Sequence, residues 1–161
     1  MPNGMWTGKG RDVINWGGTI EADNFVGDGS RVTGVLGTDS TARVGTITIV
    51  FDGGGSEIAD NTKIDLEIPF ACTINRATLL LDQSGSIVVD IWKDVYGSYP
   101  PTGADSITAS AKPTVSTATK SQDSTLTGWT TSIAAGDTLR FNVDSCTTAT
   151  RATLSLKVTK T

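Results

Sequence analysis

The stretch NRATLLLDQSGSIVVDIWKD, residues 75–94, consists of two apolar runs separated by a short polar segment. In the second run Ile87, Val89 and Ile91 occupy every second position, which is the period of a strand with one buried face. The polar segment, residues 83–86, contains a glycine, and glycine tolerates the positive φ that a tight hairpin turn requires. The stretch therefore predicts two strands joined by a hairpin turn.

The same alternation recurs on both sides of this stretch. It appears in four further segments: TITIVF (46–51), KIDLEI (63–68), TLRFNVD (138–144) and RATLSLKV (151–158). The residues expected to face inward are Ile47, Ile49, Phe51, Ile64, Leu66, Ile68, Leu139, Phe141, Val143, Leu154, Leu156 and Val158. With about eight candidate strands separated by turn signals, the pattern predicts an all-β fold, a two-sheet β-sandwich with jelly-roll-like topology.

Prolines interrupt this regular pattern between residues 96 and 124. Pro100, Pro101 and Pro113 lie in this region, and proline is excluded from central strands because it cannot donate a ladder hydrogen bond. We therefore expect short edge strands and long loops there.

Composition excludes several classes of function. The formal net charge is −4 and no basic block occurs, so the chain lacks the electrostatic footprint of a nucleic-acid-binding protein. No apolar run approaches the roughly 20 residues of a membrane-spanning helix, and no secretory signal is recognisable, which indicates folding in the cytoplasm. Cys72 and Cys146 are then expected to be buried free thiols, with a disulfide bridge as the alternative.

Catalytic signals are also missing. The chain has no histidine, which removes Ser-His-Asp and Cys-His arrangements and histidine-ligated metal sites. We expect no catalytic residue, no cofactor and no metal. A glycan-cleaving enzyme would need two facing carboxylates, and Asp65 with Glu67, or Asp90 with Asp94, are the available pairs. Strand alternation predicts that both pairs lie on a solvated face.

Residues 1–43 differ from the rest of the chain. They are rich in glycine, and their large apolar residues follow neither a helical stripe nor a strand alternation. Such a segment cannot build a core from its own chain, and its tryptophans require a covering partner. We predict an extended anchor and trimerisation segment at 1–43 and a β-sandwich domain at 44–161.

Three copies of this arm, intertwined around a shared axis, can supply the core that one copy lacks. In NFVGDGSRVTGV, residues 24–35, we expect Phe25, Val32 and Val35 to form this common centre in a homotrimer. At about 25 cal/mol per Å² of apolar area, their burial in three chains contributes on the order of 10 kcal/mol. The residues expected to dock the arm onto another protein are Trp6, Ile14 and Trp16, with packing inside a trimeric base as the alternative.

Part of this arm resembles a known element. Its residues Gly27, Asp28, Gly29, Ser30, Thr33 and Gly34 look like the GDGSxxTG element of bacteriophage tail fibres, tailspikes and head fibres, where it belongs to intertwined trimeric segments. Most of residues 44–161 is similar to a β-sandwich domain at the C-terminal end of many phage virion proteins. The resemblance implies a virion location, with other virion proteins (baseplate or tail, or the major capsid protein) as partners.

Four aromatic residues are candidates for contacts with host surface polysaccharide: Trp92, Tyr96, Tyr99 and Trp129. Aromatic rings offer flat faces for stacking; the alternative is that a loop or a neighbouring subunit covers them. We expect a structural virion protein, a short homotrimeric fibre whose sandwich binds host glycans. The alternatives are a capsid decoration protein that stabilises the head, a free carbohydrate-binding module, and a glycan-cleaving enzyme.

Overall fold

The computed structural model describes residues 43–161, which form seven strands and two single-turn 3-10 helices. The strands are β1 (Val44–Asp52), β2 (Lys63–Ile68), β3 (Cys72–Val95), β4 (Thr114–Asp123), β5 (Ser132–Ile133), β6 (Asp137–Thr147) and β7 (Arg151–Lys160). The 3-10 helices, Tyr96–Ser98 and Gly103–Asp105, lie between β3 and β4. The predictions for Trp6, Ile14, Trp16, Phe25, Val32 and Val35 lie outside the described residues and stay predictions.

All strand pairs are antiparallel, and the main path of the sheet has the order β1-β7-β3-β6-β2, with β4 and β5 also paired to β3. The sheet curls around one apolar core, which confirms the predicted all-β, sandwich-like fold. The largest fully buried side chains are Phe51, Phe141, Ile58, Ile68, Ile74, Leu79, Ile87, Ile91, Ile133, Leu139, Leu154 and Leu156.

Strand β3 is the centre of the sheet. Leu79, in its first half, has register partners in β4 and β7, while Ile87, in its second half, has partners in β4 and β6. Strand β4 therefore runs along one side of β3, and β6 and β7 follow one another along the other side. This pairing on both sides holds β3 as one strand of 24 residues.

The hairpin predicted at residues 83–86 is therefore wrong. Gly85 does not have a positive φ; it lies in β3 where the register with β4 shifts. A Cβ at this position would lie 2.5 Å from Thr148 Oγ1 and 2.6 Å from the Thr147 carbonyl oxygen. Because glycine has no side chain, the loop between β6 and β7 can approach β3 closely at this point. Gly85 is therefore needed for this close approach, and it does not form a turn.

Polar side chains beside Gly85 bind the same loop. The Asp82 carboxylate accepts hydrogen bonds from the Thr150 hydroxyl, from Thr150 N at 3.2 Å and from Arg151 N at 3.1 Å. The first of these bonds is the main reason that the pKa of Asp82 lies below its ordinary value. Thr148 Oγ1 donates to the Ser84 carbonyl oxygen at 2.9 Å. Residues 82–86, here called the β3 joint, are thus fixed to the β6–β7 loop.

The predicted inward faces are confirmed in β1, β6 and β7, whose alternating apolar residues are all buried. In β2 the prediction holds only for Ile68, because Ile64 is half-buried and Leu66 is 39% exposed. Strand β2 ends the order of the sheet, and an edge strand is covered less completely than a central one. Cys72 and Cys146 are buried and unbridged, as predicted.

Candidate functional site

The register of β2, β6 and β3 places Asp65, Arg140 and Trp92 in one row across the sheet. The next row contains Glu67 and Thr138, at the ends of β2 and β6 where β3 also ends. Both rows lie on the face opposite the buried alternating residues of these strands. This outer face carries the aromatic and carboxylate residues that the sequence singled out.

Trp92 is half-buried because the chain after β3 folds back over it. Ser106 forms a β-bridge with Trp92, and a Cβ at Gly103 would lie 3.7 Å from the indole ring. On its other side, Lys63 Nζ lies 5.9 Å from the ring centroid, within reach of a cation–π contact. Of the two interpretations offered for Trp92, the structure supports cover by the following loop.

Asp90 is also covered by this loop and is only 4% exposed, so its predicted position on a solvated face is wrong. Its Oδ1 accepts hydrogen bonds from Thr108 Oγ1 at 2.6 Å and from Ser106 Oγ at 2.7 Å. Its Oδ2 lies 3.0 Å from Lys112 Nζ. Burial alone would raise the pKa of Asp90, but these donors lower it below the ordinary value. The carboxylate thereby holds the loop against the sheet.

The two tyrosines lie at the end of β3, where the 3-10 turn Tyr96–Ser98 begins. Tyr99 N donates to the Tyr96 carbonyl oxygen at 3.2 Å, and residues three apart in such a turn lie on the same side. Tyr96 is 75% exposed and Tyr99 48%. They open onto a cavity of about 280 Å³, here called the tyrosine groove, whose lining residues are Asp65, Leu66, Glu67, Tyr96, Tyr99 and Thr138.

Arg140 fixes one wall of the tyrosine groove. Its Nε and Nη2 donate to the two oxygens of Asp65 at 2.6 and 2.8 Å, and its Nη1 donates to the Pro101 carbonyl oxygen at 3.3 Å. The Tyr99 hydroxyl donates to the same carboxylate at 2.8 Å, and the guanidinium carbon lies 5.5 Å from the Tyr99 ring centroid. The hydrogen bond from Arg140 is the main cause of a lowered pKa at Asp65. The Tyr99 ring is thus held in place before any ligand arrives.

Glu67 is the charged lining residue of the tyrosine groove that has no partner within the described part of the chain. It is exposed, and among residues 43–161 its carboxylate has neither a hydrogen-bond donor nor an ion-pair partner. The neighbouring Thr138 is buried and donates its hydroxyl to the Asp94 carbonyl oxygen at 2.9 Å. A carboxylate without a partner beside exposed rings leaves four lone-pair sites available to hydroxyl donors.

Trp129 does not belong to the tyrosine groove. Its ring packs against the core, and its indole N–H donates to the Ala111 carbonyl oxygen at 2.8 Å. It lines a different cavity, of about 200 Å³, together with residues of β3 and β4. The structure thus brings Tyr96 and Tyr99 together in one groove and leaves Trp92 and Trp129 outside it.

Sequence reasoning did not identify Arg140 as part of the site and named Glu67 only as a possible catalytic carboxylate. Alternation in KIDLEI gave the correct outward direction for Asp65 and Glu67. The missing information was the pairing of β2 with β6, which no local pattern specifies. A charged residue in the middle of the apolar segment TLRFNVD was the available signal for Arg140.

Asp65 and Asp90 are unsuited to act as a proton donor. A general acid for glycoside cleavage needs a raised pKa, whereas the pKa values of Asp65 and Asp90 are lowered. In the part of the chain that the structure describes, no three acidic or thiol side chains are placed to hold a metal ion. The arrangement can instead bind a ligand through ring faces and a hydrogen-bond acceptor.

Comparison with models of protein families and with curated proteins finds no match to the chain. Within residues 43–161, no helix has the length and apolar character needed to cross a membrane.

Proposed function

We propose that the protein is a non-enzymatic structural component of a bacteriophage virion, a short homotrimeric fibre whose β-sandwich domain contacts host surface glycans. The observation that carries the binding role is the tyrosine groove, where two exposed tyrosines line one cavity on a domain with a complete core. The likeness of residues 27–34 to the GDGSxxTG element of phage fibres supports the virion role.

The chemistry of the tyrosine groove suits sugars. Apolar faces of sugar rings pack on aromatic rings, and sugar hydroxyls require hydrogen-bonding partners nearby. Tyr96 and Tyr99 supply the rings, and Glu67 supplies an acceptor. Because Arg140 and Asp65 already hold Tyr99, little side-chain freedom remains to be lost on binding, which favours affinity.

Substitution of the rings tests the binding role. We expect Tyr96→Ala and Tyr99→Ala each to weaken binding of the full chain to a panel of immobilised bacterial polysaccharides by about fivefold to tenfold, since stacking on one ring is worth about 1–1.5 kcal/mol. Leu80→Ala is the matched control, because Leu80 is 45% exposed but lies where β3 pairs with β7. Unchanged binding by the double tyrosine variant would remove the groove from the proposal.

The mass of the assembly tests the fibre role. A homotrimer of the 16.8 kDa chain has a mass of roughly 50 kDa, which sedimentation equilibrium distinguishes from a monomer. A folded monomer that binds sugar would instead support a free carbohydrate-binding module.

Location in the particle separates the two virion roles. Electron microscopy of intact particles, with gold-labelled antibodies against this chain, should place the label on the tail for a fibre. Label spread over the head would favour the capsid decoration role, and raised resistance of those heads to heat would support it.

A further inference from the structure

We propose that the tyrosine groove selects neutral sugars and excludes acidic ones, with Glu67 accepting hydrogen bonds from two adjacent hydroxyls of the bound ring. This inference rests on the proposed glycan contact and adds the chemical class of its ligand.

The first step is the state of Arg140, the cation behind the groove. Recognition of an acidic sugar requires a guanidinium or ammonium group with free donors, and Arg140 is already engaged. Two of its nitrogens bind Asp65, at 2.6 and 2.8 Å, and the third binds the Pro101 carbonyl oxygen at 3.3 Å. A bidentate pair of this geometry is among the stronger ion pairs in proteins. Arg140 therefore shapes the site without offering a charge to the ligand.

Lys93, another cation near this end of the sheet, is also engaged, and Lys63 lies outside the residues that line the groove. Lys93 Nζ lies 3.2 Å from Asp137 Oδ2 and donates to the Ser132 carbonyl oxygen at 3.1 Å. Lys63 Nζ donates to the Asn61 carbonyl oxygen at 3.1 Å. Among the groove-lining residues that the structure describes, none carries a positive charge.

The second step is the charge that the groove does present. Asp65 is paired with Arg140 and also lies in the field of Lys63, whereas the Glu67 carboxylate has no ion-pair partner among residues 43–161. A sugar carboxylate, sulfate or phosphate at this place would bring like charge next to Glu67 and meet no cation among the lining residues that the structure describes. A neutral sugar has the complementary chemistry, because adjacent hydroxyls can donate to the two oxygens of one carboxylate.

A change at Glu67 separates charge from shape. Glu67→Gln keeps the size of the side chain and removes its charge and one acceptor oxygen. The full-length protein would be titrated against neutral polysaccharides (dextran, mannan, galactan) and acidic ones (alginate, hyaluronan, polysialic acid). We expect binding within the neutral set, a loss of about tenfold in Glu67→Gln, and no binding to the acidic set. Neutral binding should change little with ionic strength, because no net charge is neutralised.

Asp52→Asn is the matched control, because it also removes one negative charge. Asp52 lies at the end of β1, and β1 and the β2 strand of Glu67 are at opposite ends of the strand order. Binding by Asp52→Asn should equal that of the unmodified chain. Groove-dependent binding to an acidic polysaccharide, abolished by Tyr99→Ala, would overturn the selectivity and leave the glycan contact standing. Full affinity of Glu67→Gln for the neutral set would also overturn it. An absence of binding in both sets would overturn the glycan contact itself.

Discussion

Asp90 receives its three side-chain partners from a part of the chain that follows it by more than a dozen residues. Thr108 and Ser106 donate hydroxyls to one oxygen, and Lys112 approaches the other at 3.0 Å. Lys112 also contacts Asp144 of β6 at 2.6 Å, so this cluster connects the loop to two strands. The Asp90 carboxylate is thus the side chain that gathers these loop donors, beside the backbone bonds from Ile107 N to the Ile91 carbonyl oxygen and from Val89 N to the Pro113 carbonyl oxygen.

Replacement of Asp90 should therefore destabilise the domain. In Asp90→Asn a neutral amide replaces the charged acceptor. Lys112 then loses one of its two carboxylate partners, Asp90 and Asp144. We expect the free energy of unfolding to fall by about 2–3 kcal/mol, the range for breaking a largely buried pair with one partly exposed member. Urea denaturation of the full chain measures the change. Asp94→Asn, four residues along the strand, should lose less than about 1 kcal/mol; equal losses in both variants would contradict this account.

The lowered pKa values also set the response of stability to acid. Arg140 lowers the pKa of Asp65, and the donors around Asp90 outweigh the effect of its burial, so the pKa of each carboxyl lies below its ordinary value. Each charged form is favoured in the folded state, so each contributes stability that is complete above the unfolded pKa and is lost as pH falls through the folded one. With no histidine in the chain, stability should be nearly constant from about pH 5 to 8 and fall below about pH 4.

Urea midpoints measured across this pH range check the expectation. The loss of stability at low pH should be smaller in Asp90→Asn, because that variant lacks one of the carboxylates whose charged form stabilises the folded state. A steep loss beginning near pH 6 would require a different titrating group.

Among the elements, the β3 joint is the place where the longest strand meets the loop between β6 and β7. The loop between β6 and β7 approaches Gly85 so closely that a Cβ there would meet backbone atoms at 2.6 Å and 3.2 Å. Backbone atoms cannot move aside as a flexible side chain can. Hydrogen bonds from this loop to Asp82 and Ser84 fix the same place.

Gly85→Ala should therefore lower the free energy of unfolding, although alanine suits a strand at least as well as glycine. Overpacking of this kind costs about 1–3 kcal/mol, and we expect that loss in urea denaturation. Gly97→Ala is the control, because nothing lies within 4 Å of the Cβ it would add and its φ is not positive; it should change stability by less than about 0.5 kcal/mol. A Gly85→Ala variant as stable as the original would contradict the close approach.

The β3 joint also marks the limit of what the sequence could predict at this scale. Alternation located the strands and their buried faces in β1, β6 and β7, because each buried side chain leaves a local signal. The segment DQSGS has the composition of a hairpin turn, and the same composition suits a joint pressed against another loop. The choice between them depends on residues 148–150, more than 60 positions away in the chain. The pairing of Asp65 with Arg140 was hidden for the same reason.

In the whole molecule, the N-terminal arm and residues 43–161 have different proposed tasks. Residues 43–161 contain a complete apolar core and carry the tyrosine groove. The proposed trimerisation by Phe25, Val32 and Val35 would present three grooves together. Multivalent presentation raises apparent affinity for a surface by 10²–10⁴ without any new contact, so weak sugar sites suffice for attachment.

Disruption of the proposed trimer should separate these tasks. In Phe25→Asp a charge replaces an apolar residue of the proposed common centre, and the mass should fall from roughly 50 kDa to the 16.8 kDa of one chain. The strand signal in circular dichroism and the affinity for a monovalent sugar should stay unchanged, because neither depends on the arm. Binding to a polysaccharide-coated surface should fall on the order of a hundredfold. Thr46→Asp is the control, because it places the same charge at an exposed position of β1, and it should leave all four measurements unchanged. A trimer that survives Phe25→Asp would contradict the proposed trimer centre. A sandwich that unfolds in Phe25→Asp would contradict its independence from the arm.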